Sequence, residues 1–155
     1  MKTITTSQKL ICGIALLGTT LLISCGTNRK VKVAELPKAK TIEILAVNDM
    51  HAAIDNFPRL AFMADSLRNI YPNLLLISGG DNQTGNPAND QYPEKGIPII
   101  ELMNAVKFDM SAVGNHEFDS RLVGFANITH KAKFDFLSAN IDLPKTPDFR
   151  IKPYV

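Results

Sequence analysis

The stretch Ala112–Asp119, AVGNHEFD, passes from small apolar residues straight into a glycine, an amide, an imidazole and two carboxylates. Packing has no use for that mixture, whereas a cation site at a strand end does. Two other clusters share the character: Asn48-Asp49-Met50-His51 and Gly79-Gly80-Asp81-Asn82-Gln83-Thr84-Gly85. Asp49 and His51 are two apart, so on a continuing strand both side chains point to one face and can hold one cation between them. Asp81 has two carboxylate oxygens and can bridge two ions, with Gly79, Gly80 and Gly85 permitting close backbone approach. Asn115 offers a neutral amide oxygen to a second divalent ion. His116, next in an extended segment, should point elsewhere and be free to meet a substrate. Asp119, three residues on, can accept its other ring hydrogen, fix the tautomer and raise its basicity.

Singly these pieces are weak. Asp-x-His is more often a surface or capping pair than a ligand set, and Gly-Asp is more often a turn whose acid caps the next helix. Gly114-Asn115-His116-Glu117 is more specific, because a turn uses Gly-Asn but neither the histidine nor the acid. Taken together they suit two divalent ions ~3.5–4 Å apart, able to polarise a phosphoryl oxygen and lower the pKa of a bridging water toward about 7. Mixed carboxylate, amide and imidazole donors admit Zn, Mn, Mg, Fe or Co.

The elements that must position these residues alternate. Thr41–Val47 is β-rich and ends at Asn48-Asp49; Asn73–Ser78, NLLLIS, is the continuous apolar run of a strand buried on both faces. Asp109–Val113 and Phe134–Ala139 give two more strands. Between them, Pro58–Ile70 places Leu60, Met63, Ala64 and Leu67 at helical spacing, Ile97–Val106 does the same, and Ser120–Lys133 is a helix with Asp119 or Ser120 as N-cap. The order predicts a parallel α/β sheet built from right-handed crossovers, with ligands beyond the carboxyl ends of the strands. Each polar cluster falls at such an end. Asp49, Asp81 and Asn115 stand 32 and 34 residues apart, about one βαβ unit each.

The first residues are of another kind. Met1–Lys9 carries two lysines and no acid, and Leu10–Ile23 is an apolar run of 14 residues, short of a bilayer span and right for a signal-peptide core. Leu22-Ile23-Ser24-Cys25 resembles the lipobox of bacterial lipoproteins, which makes residues 1–24 the leader and Cys25 the lipidated membrane anchor. Cys12 would be lost with the leader, so no thiol remains for a disulfide or thiolate site. Gly26 after Cys25 hints at outer-membrane delivery. Residues 25–40, lysine-rich and without period, read as a tether. Removing residues 1–24 takes away Lys2 and Lys9 and leaves 15 basic and 15 acidic residues of the original 17 and 15. A neutral chain argues against nucleic acid as a partner.

On Asn48-Asp49-Met50-His51, Ser78-Gly79-Gly80-Asp81 with Thr84-Gly85, Val113–Asp119 and Leu137-Ser138-Ala139-Asn140-Ile141, the sequence resembles the calcineurin-like metallophosphoesterases, in their secreted bacterial 5'-nucleotidase and 2',3'-cyclic-nucleotide phosphodiesterase branch. The resemblance covers about residues 41–155. It implies the N-terminal portion of an α/β sandwich, Asp49 and His51 on the first metal, Asp81 bridging, Asn115 on the second, His116 and Asp119 assisting catalysis, and Glu117 as a structural neighbour. It also implies a nucleotide or related small phosphoester as substrate. Ala52 departs from the glycine usual after the histidine.

The larger departure is a shortage of ligands. The family completes its second metal with histidines from later loops and recognises bases through a separate C-terminal domain, whereas this chain has histidines only at 51, 116 and 130. His130 falls on an ordinary amphipathic helix and reads as a surface or half-buried residue. The second ion would have only Asp81 and Asn115, so the sequence reads as the N-terminal part of a longer enzyme, with low activity when expressed alone. Two alternatives remain at this level: a phosphatase or phosphodiesterase acting on another small phosphoester, and a non-catalytic lipoprotein that kept the sheet.

Overall fold

Every strand after residue 40 finds a parallel neighbour. The structure, a computed structural model, describes residues 40–155. The predicted leader, Cys25 and the tether as far as Ala39 lie outside the described residues. The elements run β1 (Ile44–Val47), α1 (Phe57–Ile70), β2 (Leu75–Ser78), a single-turn α2 (Pro87–Asp90), α3 (Ile97–Val106), β3 (Met110–Ala112), α4 (Arg121–Lys131), β4 (Asp135–Leu137) and β5 (Ile151–Lys152). The strands form one parallel sheet in the order β1-β2-β3-β4-β5.

Sequential order with crossovers of one hand puts the helices on one face. Alternation along the strands agrees. Leu45, Val47, Leu76, Phe136 and Ile151 join the core with Leu60, Ile99, Ile100, Met103, Phe125 and Ile128. Their neighbours Ile44, Ala46, Leu75, Ile77, Met110, Ala112 and Leu137 lie on the other face, where Ile44 is 56% exposed.

Helix α3 packs against both α1 and α4 and buries Ile97, Ile99, Ile100, Met103 and Val106. Its last carbonyls are capped from outside: the Arg68 guanidinium of α1 donates to Val106 O (2.9 Å) and Lys107 O (2.7 Å). Unpaired carbonyls at a helix C-terminus carry partial negative charge, so a cation there satisfies both charge and hydrogen bonding. In α4, fully buried Phe125 meets Phe118 (ring centroids 4.6 Å) and Phe149 (5.6 Å). Phe118 belongs to the loop after β3, so the core directly braces one side of the polar cluster.

The expected elements all occur, with strands one to three residues shorter at their ends than predicted. Helix α3 keeps its predicted bounds. Helix α4 is trimmed to Arg121–Lys131; Ser120 occupies its N-cap position without a side-chain hydrogen bond, and Asp119 turns its carboxylate elsewhere. Helix α2 and the 3-10 turns Ile54–Asn56 and His116–Phe118 were not anticipated; Lys152–Val155 reads as the start of an extended segment, and β5 begins one residue earlier, at Ile151.

Candidate metal centre

The loops after β1, β2 and β3 build the cluster, and the first two are laced together. Asp49 N donates to Gly80 O (3.0 Å), His51 N to Asp81 O (3.1 Å) and Ala52 N to Asn82 O (2.8 Å). Reaching those carbonyls forces Asp49, His51 and Ala52 to φ of 49°, 45° and 51°. The expectation of a strand continuing through Asp49 and His51 is therefore incorrect. The strand stops at Val47, and left-handed residues, not β alternation, aim the two side chains. They still approach: His51 Nε2 lies 4.0 Å from Asp49 Oδ1.

The β2 loop is fixed by buried polar groups. Ser78 Oγ donates to Asn82 Oδ1 (2.5 Å), and Asn82 Nδ2 donates to Ser111 Oγ (2.9 Å) and Glu117 Oε1 (3.0 Å). Glu117, 1% exposed, also accepts from Asn82 N (2.9 Å), Asp81 N (3.1 Å) and Gly114 N (2.7 Å). Four N–H groups thus converge on one buried carboxylate, tying the β2 and β3 loops together, which is what makes its burial tolerable. Gly114 has no room for a side chain: a Cβ there would collide with the Asp81 carboxylate.

After β3 the chain does not stay extended. Asn115 is helical (φ −76°) and His116–Phe118 forms a 3-10 turn. This turn brings His116 inward instead of pointing it elsewhere. Its backbone N donates to Asp81 Oδ1 (2.9 Å), and its ring meets the His51 ring edge-on with centroids 4.7 Å apart. One ligand atom each from His51, Asp81 and His116 lies within 4.8 Å of the others. The two terminal atoms of the Asn115 amide sit 3.2 Å from Asp81 Oδ2 and 3.3 Å from His116 N. With its nitrogen toward the carboxylate the amide is satisfied by hydrogen bonds; turned about, its oxygen and the Asp81 oxygen face each other, an arrangement a shared cation would stabilise.

The ring nitrogens suit the same occupant. His51 Nδ1 faces Thr84 O at 3.2 Å, and a carbonyl only accepts, so Nδ1 carries the hydrogen and Nε2 keeps its lone pair. His116 Nδ1 is 2.9 Å from Asp119 Oδ2, which also accepts from Thr84 Oγ1 (2.5 Å). That hydrogen bond to Asp119 raises the His116 pKa, and the carboxylates of Asp119, Asp81 and Glu117 add to the effect. The Asp119 pKa is lowered, first by His116 and then by the Thr84 hydroxyl. Imidazole lone pairs, a two-oxygen carboxylate and an amide converging from three loops fit a divalent cation. His130 stands apart, its Nε2 facing Asp148 O at 3.2 Å.

Residues 42–151 match the model of the calcineurin-like phosphoesterases. The chain belongs to that family. It is 34% identical over 142 residues to Protein UshA of Salmonella pullorum, covering 83% of this chain and 25% of that protein. The human 5'-nucleotidase is 32% identical over 118 residues, covering 64% and 20% respectively. Among solved structures, a 5'-nucleotidase precursor from Thermus thermophilus superposes with a TM-score of 0.63 at 25% identity, covering 68% of this chain and 23% of that one. The chain spans about a quarter or less of the length of the curated relatives it matches.

Within this family member, His51, Asp81 and His116 are brought together, with Asn115 against Asp81 and Asp119 on His116, whereas Asp49 approaches the group only through His51 and its exposed carboxylate accepts from Asn48 Nδ2. Sequence reasoning took Glu117 as a structural neighbour, which its hold on the loop amides matches, and gave Thr84 no part beyond the motif. The signal for Glu117 was the acid directly after Asn-His where no charge is needed for solubility. For Thr84 there was no comparable signal, since its part depends on a backbone carbonyl and a left-handed φ of 64°.

Proposed function

We propose that this chain carries metal-holding loops of a phosphoester hydrolase acting on nucleotides, of the 5'-nucleotidase type, exported to the bacterial cell envelope and anchored there through a lipidated Cys25. The observation supporting the chemistry is the meeting of Asp49 and His51, Asp81, Asn115 and His116 at three adjacent strand ends. The nucleotide substrate rests on the similarity to proteins named 5'-nucleotidases, and the anchor on the sequence Leu22–Cys25.

Asp49 and His51 would hold one divalent ion, Asp81 would bridge it to a second, and Asn115 would turn its amide oxygen toward that second ion. Two such ions supply a polarised phosphoryl oxygen and a water acidic enough to act as nucleophile near neutral pH. The protein groups do the rest. Asp119 keeps the His116 hydrogen on Nδ1 when the ring is neutral; in the protonated ring, favoured by its raised pKa, Nε2–H can be donated to a leaving oxygen or to the phosphoryl charge. Glu117 holds Asp81 and Gly114 in place from below through their backbone amides.

Electron paramagnetic resonance of Mn2+ titrated into the chain from residue 25 onward tests the metal reading. The free-ion signal should fall on binding, and Asp81→Asn should weaken binding at least tenfold. Phosphate release from AMP should depend on metal and stay below about 1 s−1, under the usual enzymatic range, because a second ion would have only Asp81 and Asn115 to hold it. Binding unaffected by Asp81→Asn would sink the metal assignment, and metal-loaded protein releasing no phosphate at all would sink the hydrolase assignment.

A further inference from the structure

Thr84 touches the supports of both histidines. Its carbonyl lies 3.2 Å from His51 Nδ1. Its hydroxyl donates to Asp119 Oδ2 at 2.5 Å, the same oxygen that holds His116 Nδ1 at 2.9 Å. It does both only because its backbone is left-handed, φ 64°, where a β-branched residue is seldom found. The neighbouring Gly85 lets this segment lie against His51, since a Cβ there would come within 2.6 Å of His51 O. The segment is pinned further on, where Gly85 N donates to Asp90 Oδ2 (2.9 Å).

We propose that Thr84 is a positioning residue that sets the tautomer and orientation of both imidazoles, His51 through its main chain and His116 through its hydroxyl on Asp119. A backbone strained at a functional site is retained where its geometry is needed. Here the geometry puts one acceptor on the His51 ring and one donor on the carboxylate that holds the His116 ring, so that both Nδ1 atoms are engaged. The hydroxyl removes one of the ways Asp119 could rotate, since Oδ2 then receives two donors from different elements. The ring orientation follows from the geometry alone; its effect on turnover rests on the phosphoesterase reading above.

The two halves of the proposal separate by mutation. Thr84→Val keeps the shape, the branch and the carbonyl but loses the donor; Thr84→Ser keeps the donor. Long-range 1H–15N NMR of the histidine side chains, recorded on the metal-free chain at alkaline pH so that the rings are deprotonated, reads the tautomer directly. In the parent, His51 and His116 should carry the hydrogen on Nδ1, with His130, facing Asp148 O through Nε2, as the opposite internal standard. In Thr84→Val the His116 signals should move toward a tautomer mixture while those of His51 stay in place, and Thr84→Ser should restore the parent pattern. Thr84→Ala, also lacking the hydroxyl, should repeat the Val result and serves if Val fails to fold. Unmoved His116 signals in both variants, or His51 and His116 moving together, would overturn the proposal. In turnover, Thr84→Val should lower AMP hydrolysis about tenfold, in the range typical of lost ligand-supporting contacts, with Mn2+ affinity changed less than twofold. If the tautomers respond as expected but no variant or parent hydrolyses a nucleotide, the positioning role stands and the phosphoesterase reading falls.

Discussion

The loops after β1 and β2 hold five non-glycine residues in the left-handed region, Asp49, His51, Ala52, Asp81 and Thr84, whereas Asn115–Asp119 after β3 contains none. Each such residue costs roughly 1–2 kcal/mol. On that side the cost is offset by main-chain hydrogen bonds from Asp49, His51 and Ala52 to residues 80–82. The β3 loop is instead relaxed in backbone and held by one buried acid, Glu117, together with the Phe118–Phe125 contact. Two routes lead to a fixed side chain: a distorted chain held by its neighbour, or an ordinary turn clamped from beneath by a charge. The second concentrates its dependence in a single side chain.

That contrast can be broken most severely at Glu117. Glu117→Leu strands the amides of Asp81, Asn82 and Gly114 and should cost about 4 kcal/mol or more, at ~1–3 kcal/mol per orphaned buried donor, read by urea denaturation. Next in size is the cation. Mn2+ at a hundred times its Kd should stabilise the parent by about 2.7 kcal/mol and Asp81→Asn far less, measured by thermal melting with and without metal. Gly114→Ala, which pushes a methyl into the Asp81 carboxylate, should destabilise by roughly 1–3 kcal/mol and weaken Mn2+ binding; unchanged binding would show that Asp81 is not held from the β3 side. The smallest change is expected at Ala52. Glycine there relieves the left-handed strain but gives up a buried methyl and adds chain entropy, terms of about 1 kcal/mol each and opposite in sign. A melting temperature moved by more than about 6 °C would show that strain in the first loop is not balanced in this way.

The sheet was legible because parallel strands leave apolar runs and their crossovers leave a helical period; NLLLIS contains β2, and Ile97–Val106 became α3 without change of bounds. Strand β5, two residues long, is legible only as the start of an extended segment at Lys152. That the six residues named from their types lie in three loops that converge was legible too. Their aiming was not. Asp and His tolerate the left-handed region but do not announce it, and Ala52 gives no hint at all, so β alternation was assumed where the chain curls. His116 was expected to turn away because a 3-10 turn three residues long is invisible beside a preceding strand. The glycine usual at the position of Ala52 becomes intelligible once the φ of 51° there is known.

Strand order has a consequence for how the molecule comes into being. Every strand pairs with the one made immediately before it, and none of the four pairings joins residues more than about 35 apart along the polypeptide. A chain emerging N-terminus first therefore never waits for a distant partner, and the three polar tips come together as soon as β3 has docked. The strand pairings that bring the three tips side by side thus involve neither β4 nor β5.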